Sequence, residues 1–204
     1  MKDLSIIVVS FNTKPLLLKC LQSIQKYTKG IDYEILIVDN ASSDGSFEAV
    51  QKVFNVEAVR NKDNLGFAKA NNQGMRKATG RYVLLLNSDT QLKENSLAKM
   101  VQWMDEHSKI GIATCKLLNP DGSVQATGGY FPNLLRIFLW ATFLDDLPFV
   151  PSFFGSYHPH TPKFGSDFYN REHPQDWVTG AFFLFRRELV KEAMYLDEEF
   201  FMSV

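Results

Sequence analysis

Only two of the 204 residues are cysteine, and Cys20 and Cys115 stand far apart with no Cys-x-x-Cys spacing. This scarcity argues against a disulfide framework and a zinc cluster and fits a reducing compartment. Long hydrophobic runs are missing too: nothing reaches the roughly 18 consecutive apolar residues of a membrane-crossing helix. Met1, Lys2 and Asp3 lead directly into an apolar run, so no signal peptide is expected ahead of it. An excess of one charge is also lacking. The 22 Lys and Arg balance 23 Asp and Glu, a formal net charge of −1, so nothing draws the chain to nucleic acid in general, and no nucleic-acid partner is expected. Glycine-rich phosphate loops are absent: no Gly-x-Gly-x-x-Gly follows the first apolar run, and no Walker-type loop occurs. A dinucleotide oxidoreductase and a P-loop NTPase are thereby disfavoured. A serine hydrolase is disfavoured as well, because no Gly-x-Ser-x-Gly elbow is present. Internal repeats and low-complexity segments are not found.

What is present is an ordinary globular composition, 45% hydrophobic and 22% charged, which excludes a disordered chain. Residues 4–9, 34–38, 56–59 and 82–86 are short apolar, β-branched runs of the kind buried on both faces of a sheet. Between them, Leu17, Leu21 and Ile24, then Phe47, Val50 and Phe54, repeat at helical spacing, and residues 67–79 read as a helix stopped by Gly80. Thr13 is placed to cap the first helix, and Pro15 is tolerated in its first turn. Strands alternating with helices predict an α/β fold with a mostly parallel central sheet flanked by helices. Residues 93–106 are amphipathic. Residues 110–118 and 178–185 are strand-like, residues 186–194 helical, and Asn119-Pro-Asp-Gly122 a turn followed by a hairpin arm. Residues 128–175 are rich in Phe, Pro and Tyr without clean periodicity. The whole reads as one domain, with a nucleotide-binding half at 1–90 and a second half at 91–204 that carries this insertion.

Polar clusters follow three of the strand runs, at the sheet edge where open α/β folds bind ligands. Asp39 directly follows a buried strand. Its carboxylate can accept a hydrogen bond from a nucleobase imide N–H, or it can be a plain turn residue. Asp44 is the better helix cap, which leaves Asp39 available to a ligand. Asp89, after Asn87 and Ser88, can hold a hard divalent cation when a diphosphate supplies further oxygens, or it can simply end a strand. Asn71, Asn72 and Gln73 sit in a helix that Asn disfavours. They bond either to a ligand and neighbouring loops or to another helix.

Four segments, Ser5-Ile-Ile-Val-Val-Ser-Phe-Asn12, Val38-Asp-Asn-Ala-Ser-Ser-Asp-Gly45, Asn64-Leu-Gly-Phe-Ala-Lys-Ala-Asn-Asn-Gln-Gly74 and Leu84-Leu-Leu-Asn-Ser-Asp89, resemble family 2 glycosyltransferases of the GT-A (Rossmann-like) fold. Asp176-Trp-Val-Thr-Gly-Ala181 and Leu196-Asp-Glu-Glu-Phe-Phe-Met202 resemble the rhamnosyltransferase-type branch. The resemblance implies sugar transfer with inversion, from a UDP- or dTDP-linked donor to a glycan or lipid-linked acceptor, in cell-surface polysaccharide synthesis. It makes Asp89 the metal ligand for manganese or magnesium and Asp39 the nucleobase contact. Ser10, Asn12, Asn64, Gly66, Asn71 and Asn87 join the substrate-binding set, with Gly180 and Ala181 at the sugar or acceptor site. Trp177 offers an apolar face to a sugar or packs in the core. Asn87 stands where the fuller metal motif has a carboxylate. The resemblance also puts the catalytic base in a Glu-Asp pair beyond Val204, so the chain reads as a truncated enzyme whose last residues lack a packing partner. A cytoplasmic location is implied; residues 134–154, which include Trp140, are either a peripheral contact with the inner membrane face or an ordinary packed insertion, and the scarcity of Lys and Arg there, Arg136 apart, favours the insertion. The rivals are a nucleotide-sugar-binding module without turnover and a sugar-phosphate nucleotidyltransferase. The latter would need a glycine-rich basic loop that residues 10–14 do not supply.

Overall fold

Leu4–Ser10 (β1) lies inside the main sheet: Ile6, Ile7 and Val8 are fully buried, as an apolar run covered on both faces must be. It pairs in parallel with Tyr33–Asp39 (β2) on one side and Tyr82–Asn87 (β4) on the other, and β2 pairs in parallel with Glu57–Arg60 (β3). Lys14–Tyr27 (α1), Ser46–Val53 (α2) and Gly66–Lys77 (α3) are the connections. The computed structural model describes residues 1–54, 56–144, 169–192 and 195–201, which form two compact units, Met1–Ala113 with Gly180–Val204, and Thr114–Thr179.

In the first unit the sheet order is β3-β2-β1-β4-β10-β5. Here β5 is Ile112–Ala113 and β10 is Phe182–Arg186, antiparallel to both β4 and β5. The mostly parallel sheet flanked by helices is therefore as the sequence implied. Ser96–Glu106 (α4) buries Leu97, Val101 and Met104 as its amphipathic pattern requires, and Arg187–Glu192 (α6) follows β10. Arg186 bonds the carbonyl end of α4, donating to the Met104, His107 and Ile110 carbonyls and to the Tyr82 hydroxyl.

The second unit contains the hairpin of Leu117–Leu118 (β6) with Val124–Gln125 (β7), and the pair Gly128–Gly129 (β8) with Trp177–Val178 (β9). The hairpin turn closes through the Gly122 N–H on the Asn119 carbonyl, with Gly122 at φ +88°. Leu134–Ala141 (α5) buries none of its side chains; Leu134, Phe138 and Trp140 are exposed. The rest of the apolar stretch, residues 145–154, lies outside the described residues. No described helix is long and apolar enough to cross a membrane.

Three local expectations are corrected. Residues 110–118 are two short strands in different units rather than one. Residues 178–185 are likewise divided, with Gly180 outside both β9 and β10; a Cβ there would lie 2.8 Å from the Phe67 ring. Thr13 occupies the N-cap position of α1 without capping it. Its hydroxyl instead bridges Ser10 and Ser88, and the Asp44 carboxylate takes the Lys14 N–H. Asp44 accepts the Ser46 N–H as well, so one side chain serves the starts of both α1 and α2.

Candidate functional site

Parallel pairing brings three strand ends level: Ser10 is in register with Asp39, and Val9 with Asn87. The loops that follow share one edge of the sheet and are braced against each other. Asn12, at φ +54°, donates its backbone N–H to Ser42 Oγ at 2.9 Å, and its side-chain oxygen accepts the Ser43 N–H at 2.8 Å. A left-handed residue with a short polar side chain is what such a staple requires. Ser10 joins the buried hydroxyl chain through Thr13 to Ser88.

Asp39 is fully buried. One carboxylate oxygen accepts the Ser42 N–H at 3.0 Å; the other, Oδ2, is buried with no partner among the described residues. Beside it Asn40 is a hub, receiving from Asn61 and donating to the Asn64 side chain and the Gly66 carbonyl. The three consecutive amides of α3 also have distinct partners. Asn71 bonds the Phe67 carbonyl of its own helix, Asn72 reaches Leu196 and Glu198, and Gln73 pairs with Asn61. Bonding to neighbouring loops thus accounts for Asn72 and Gln73.

These loops enclose a cleft of about 310 Å³, at the lower end of the range of small-molecule sites. Its polar lining includes Asn40, Asn64, Asn71, Asn87 and Asp89, and Gly66 lies among them. Asp89 is exposed and makes no ion pair or side-chain hydrogen bond among the described residues. No group of three or more His, Cys, Asp or Glu that could cage a metal occurs among the described residues. A lone free carboxylate in a cleft instead suits a hard cation that takes its other oxygens from a bound phosphate and water. Beneath this loop the buried Cys20 thiol, which contacts the Asn87 carbonyl, is pushed up to about 12, chiefly by burial and further by the charge of Asp89. It is no nucleophile.

Ala181 accepts the Asn87 N–H at 3.2 Å, and Gly180 lies against Phe67. Trp177 is in the other compact unit, where its indole N–H donates to the Tyr130 carbonyl. The apolar walls of the cleft, Phe11, Leu16, Phe67 and Phe201, escaped the sequence reading. The signal for one of them was available: Phe11 is a large aromatic immediately after a buried strand, where it cannot join the core, and it is 46% exposed. Phe201 is not without a partner, since its carbonyl accepts the Phe67 N–H.

The family model for "Glycosyl transferase family 2" matches residues 5–193. An N-acetylglucosaminyl-diphospho-decaprenol L-rhamnosyltransferase of Mycobacterium tuberculosis is 26% identical over 212 residues, covering 98% of this chain and 66% of the relative. The putative teichuronic acid biosynthesis glycosyltransferase TuaG of Bacillus subtilis is 31% identical over 108 residues, 51% of this chain and 42% of its own. Among solved structures, residues 1–349 of S. aureus TarS match with a TM-score of 0.62 at 21% identity, over 97% of this chain and 51% of that one. The mannosyltransferase PcManGT of Pyrobaculum calidifontis, in complex with GDP-Man and Mn2+, matches with a TM-score of 0.63 at 21% identity, over 98% and 50%. At such identity these likenesses speak to the fold, which is GT-A. The chain spans 42% to 66% of the length of these curated relatives.

Proposed function

The chain belongs to glycosyl transferase family 2, and from that premise we propose that its cleft binds a nucleoside-diphosphate sugar whose glycosyl group passes to an acceptor hydroxyl. The observation that carries the reading is the orphaned Asp39 Oδ2; Asp39 is not itself in the cleft lining but directly precedes Asn40, which is. A buried acceptor without a donor is costly, and an acceptor-only group is matched by a ligand N–H. Uracil and thymine both present such an imide, so both UDP- and dTDP-linked donors fit. The rhamnosyltransferase relative supports a rhamnosyl donor and a lipid-linked acceptor, and the teichuronic acid relative supports a role in polysaccharide synthesis.

With the base at Asp39, the diphosphate reaches toward Asp89 at the far strand end. Asp89 would hold manganese or magnesium, which when bound supplies Lewis-acid charge neutralisation to the leaving diphosphate; the manganese in the mannosyltransferase neighbour is in keeping with this. The proposed stereochemical course is inversion. The acceptor oxygen attacks the anomeric carbon opposite the diphosphate, the glycosyl–oxygen bond breaks with its electron pair on the leaving phosphate, and a carboxylate base removes the hydroxyl proton. Among the described residues Asp89 is the carboxylate that lines the cleft, and Glu198 is engaged by Asn72 and Arg76. The base is therefore assigned outside the described residues. That same lack of a second cleft carboxylate is what favours the alternative reading, a module that binds donor without turnover.

A cytoplasmic site of action with peripheral membrane contact is part of the proposal, supported by the exposed apolar side chains of α5. Co-sedimentation with liposomes tests the contact. The donor site is tested by calorimetry with UDP and dTDP, with and without manganese, on the unmodified chain and on Asp89→Ala. Metal-dependent binding that disappears in the variant is the expected result. Equal metal dependence in both would remove Asp89 from the site.

A further inference from the structure

Asn72 is completely buried, and its carboxamide is bonded to Leu196 and Glu198 of the segment 195–201. Its oxygen accepts the Leu196 N–H at 2.9 Å, and its nitrogen donates to the Leu196 carbonyl and to Glu198 Oε1, each at 2.9 Å. A carboxamide alone among side chains of this size both accepts from and donates to one backbone unit in this way. Arg76, one turn along α3, reinforces the grip by bonding Glu198 Oε1 at 3.2 Å, and its guanidinium lies 5.0 Å from the Tyr195 ring centre.

The other end of the same segment meets the start of α3. The N-cap residue, Leu65, has no capping side chain; Asn64 Oδ1 takes the Gly66 N–H at 3.0 Å, and the next first-turn donor, the Phe67 N–H, is taken by the Phe201 carbonyl at 2.7 Å. The approach is close enough to need glycine: Gly66 sits at φ +82°, and a Cβ there would lie 2.6 Å from that carbonyl oxygen. Phe201 is left with its ring half exposed at the cleft, beside Phe67 and Asn71.

We propose that Asn72 is a positioning residue: it clamps residues 195–201 along α3 so that Phe201 forms a wall of the donor cleft. The inference rests on the donor-site reading for its functional meaning and on hydrogen bonds alone for its geometry. Leu196 is held at one end of the segment, and at the other the Phe201 carbonyl is held by the Phe67 N–H against Gly66, with the Phe201 ring in the cleft lining. A ligand in the cleft then stabilises the docked segment, and the docked segment improves ligand binding, because the two effects are reciprocal.

The test is amide hydrogen exchange, read at two sites. The Leu196 amide reports the clamp, and the Phe67 amide reports where Phe201 sits, since Phe201 supplies its acceptor. In Asn72→Ala both amides should exchange at least about tenfold faster while the amides of β1 and β4 keep their protection. If the Phe67 amide stays as protected as in the unmodified chain, Asn72 does not position Phe201. Should Asn72→Ala lose protection throughout the sheet, Asn72→Asp decides, because it keeps the shape and loses both donor contacts; unchanged Phe67 exchange there would overturn the proposal. In a second arm, Phe201→Ala should weaken UDP or dTDP binding in manganese by about tenfold, and unchanged affinity would remove Phe201 from the wall. A chain that binds neither nucleotide would defeat the donor-site reading, while the exchange arm still decides the clamp.

Discussion

At the scale of single residues, the site is organised by what is left unsatisfied. Asp39 uses one oxygen to hold the turn and keeps the other buried without a donor. If a nucleobase supplies that donor, Asp39→Ala removes one charge-assisted hydrogen bond, about 1.5–3 kcal/mol. Calorimetry should then show UDP or dTDP affinity falling by roughly one to two orders of magnitude. Equal affinities would reduce Asp39 to a turn residue. Its neighbours brace, line, or do both. Asn12 and Ser10 bond to protein; Asn64 and Asn71 bond to protein and border the cleft as well; Asn87 and Asp89 border the cleft. Sequence reasoning could place Ser10, Asn12, Asn87 and Asp89 at one edge, because each ends or follows a buried run, whereas Asn64 and Asn71, the latter inside α3, were implied by the family resemblance. It could not tell bracing from lining, since partners 30 residues away in the chain decide which amide is already engaged.

At the scale of elements, the sheet edge opposite the cleft is held by charge rather than by loops. Arg81, at the foot of β4, pairs with Asp3 ahead of β1 and with Asp105 on α4, and Tyr82 donates to Asp105 as well. The hydrogen bond from Arg81, above all, holds the Asp105 carboxyl below the usual carboxylate range. Asp3 is also lowered, first by the Asp32 backbone N–H and then by Arg81. Both groups bind protons less readily folded than unfolded. Their stabilisation is therefore complete above the ordinary carboxylate pKa of about 4 and is lost as pH falls through the lowered values. The melting temperature should fall with acidification in that range, and Asp105→Asn should flatten the profile; a variant with the same acid slope would exclude the pair as its source. Arg186 does comparable work at the carbonyl end of α4, and Arg186→Met should cost roughly 1.5–3 kcal/mol in a denaturant titration. The strands β1, β2 and β4 were legible because a run buried on both faces needs no partner information. Strands β5, β9 and β10 were legible as strand-like runs but not in their bounds. Their boundaries are set where Gly180 must pass Phe67 and where β10 turns antiparallel, and both are contacts between distant segments.

At the scale of the whole molecule, the donor edge and residues 114–179 are built separately. Strands β5 and β10 are hydrogen-bonded neighbours, with Ala113 in register with Leu184, so the chain leaves the first unit and re-enters it at one place. A tight hairpin of about eight residues could join them in place of the intervening segment. Shortening the connection to that length relieves about 2 kcal/mol of loop-closure entropy. The shortened chain should unfold in one cooperative transition and bind UDP or dTDP as the whole chain does; loss of cooperative unfolding would show that the second unit completes the first. The seam between β5 and β10 thus acts as a socket. If the shortened chain behaves so, the segment plugged into it could lengthen, shrink or be exchanged while the ladder that aligns Ser10, Asp39 and Asn87 keeps its register. Recombination at this point would let a lineage keep one donor chemistry while trying many different partners for it.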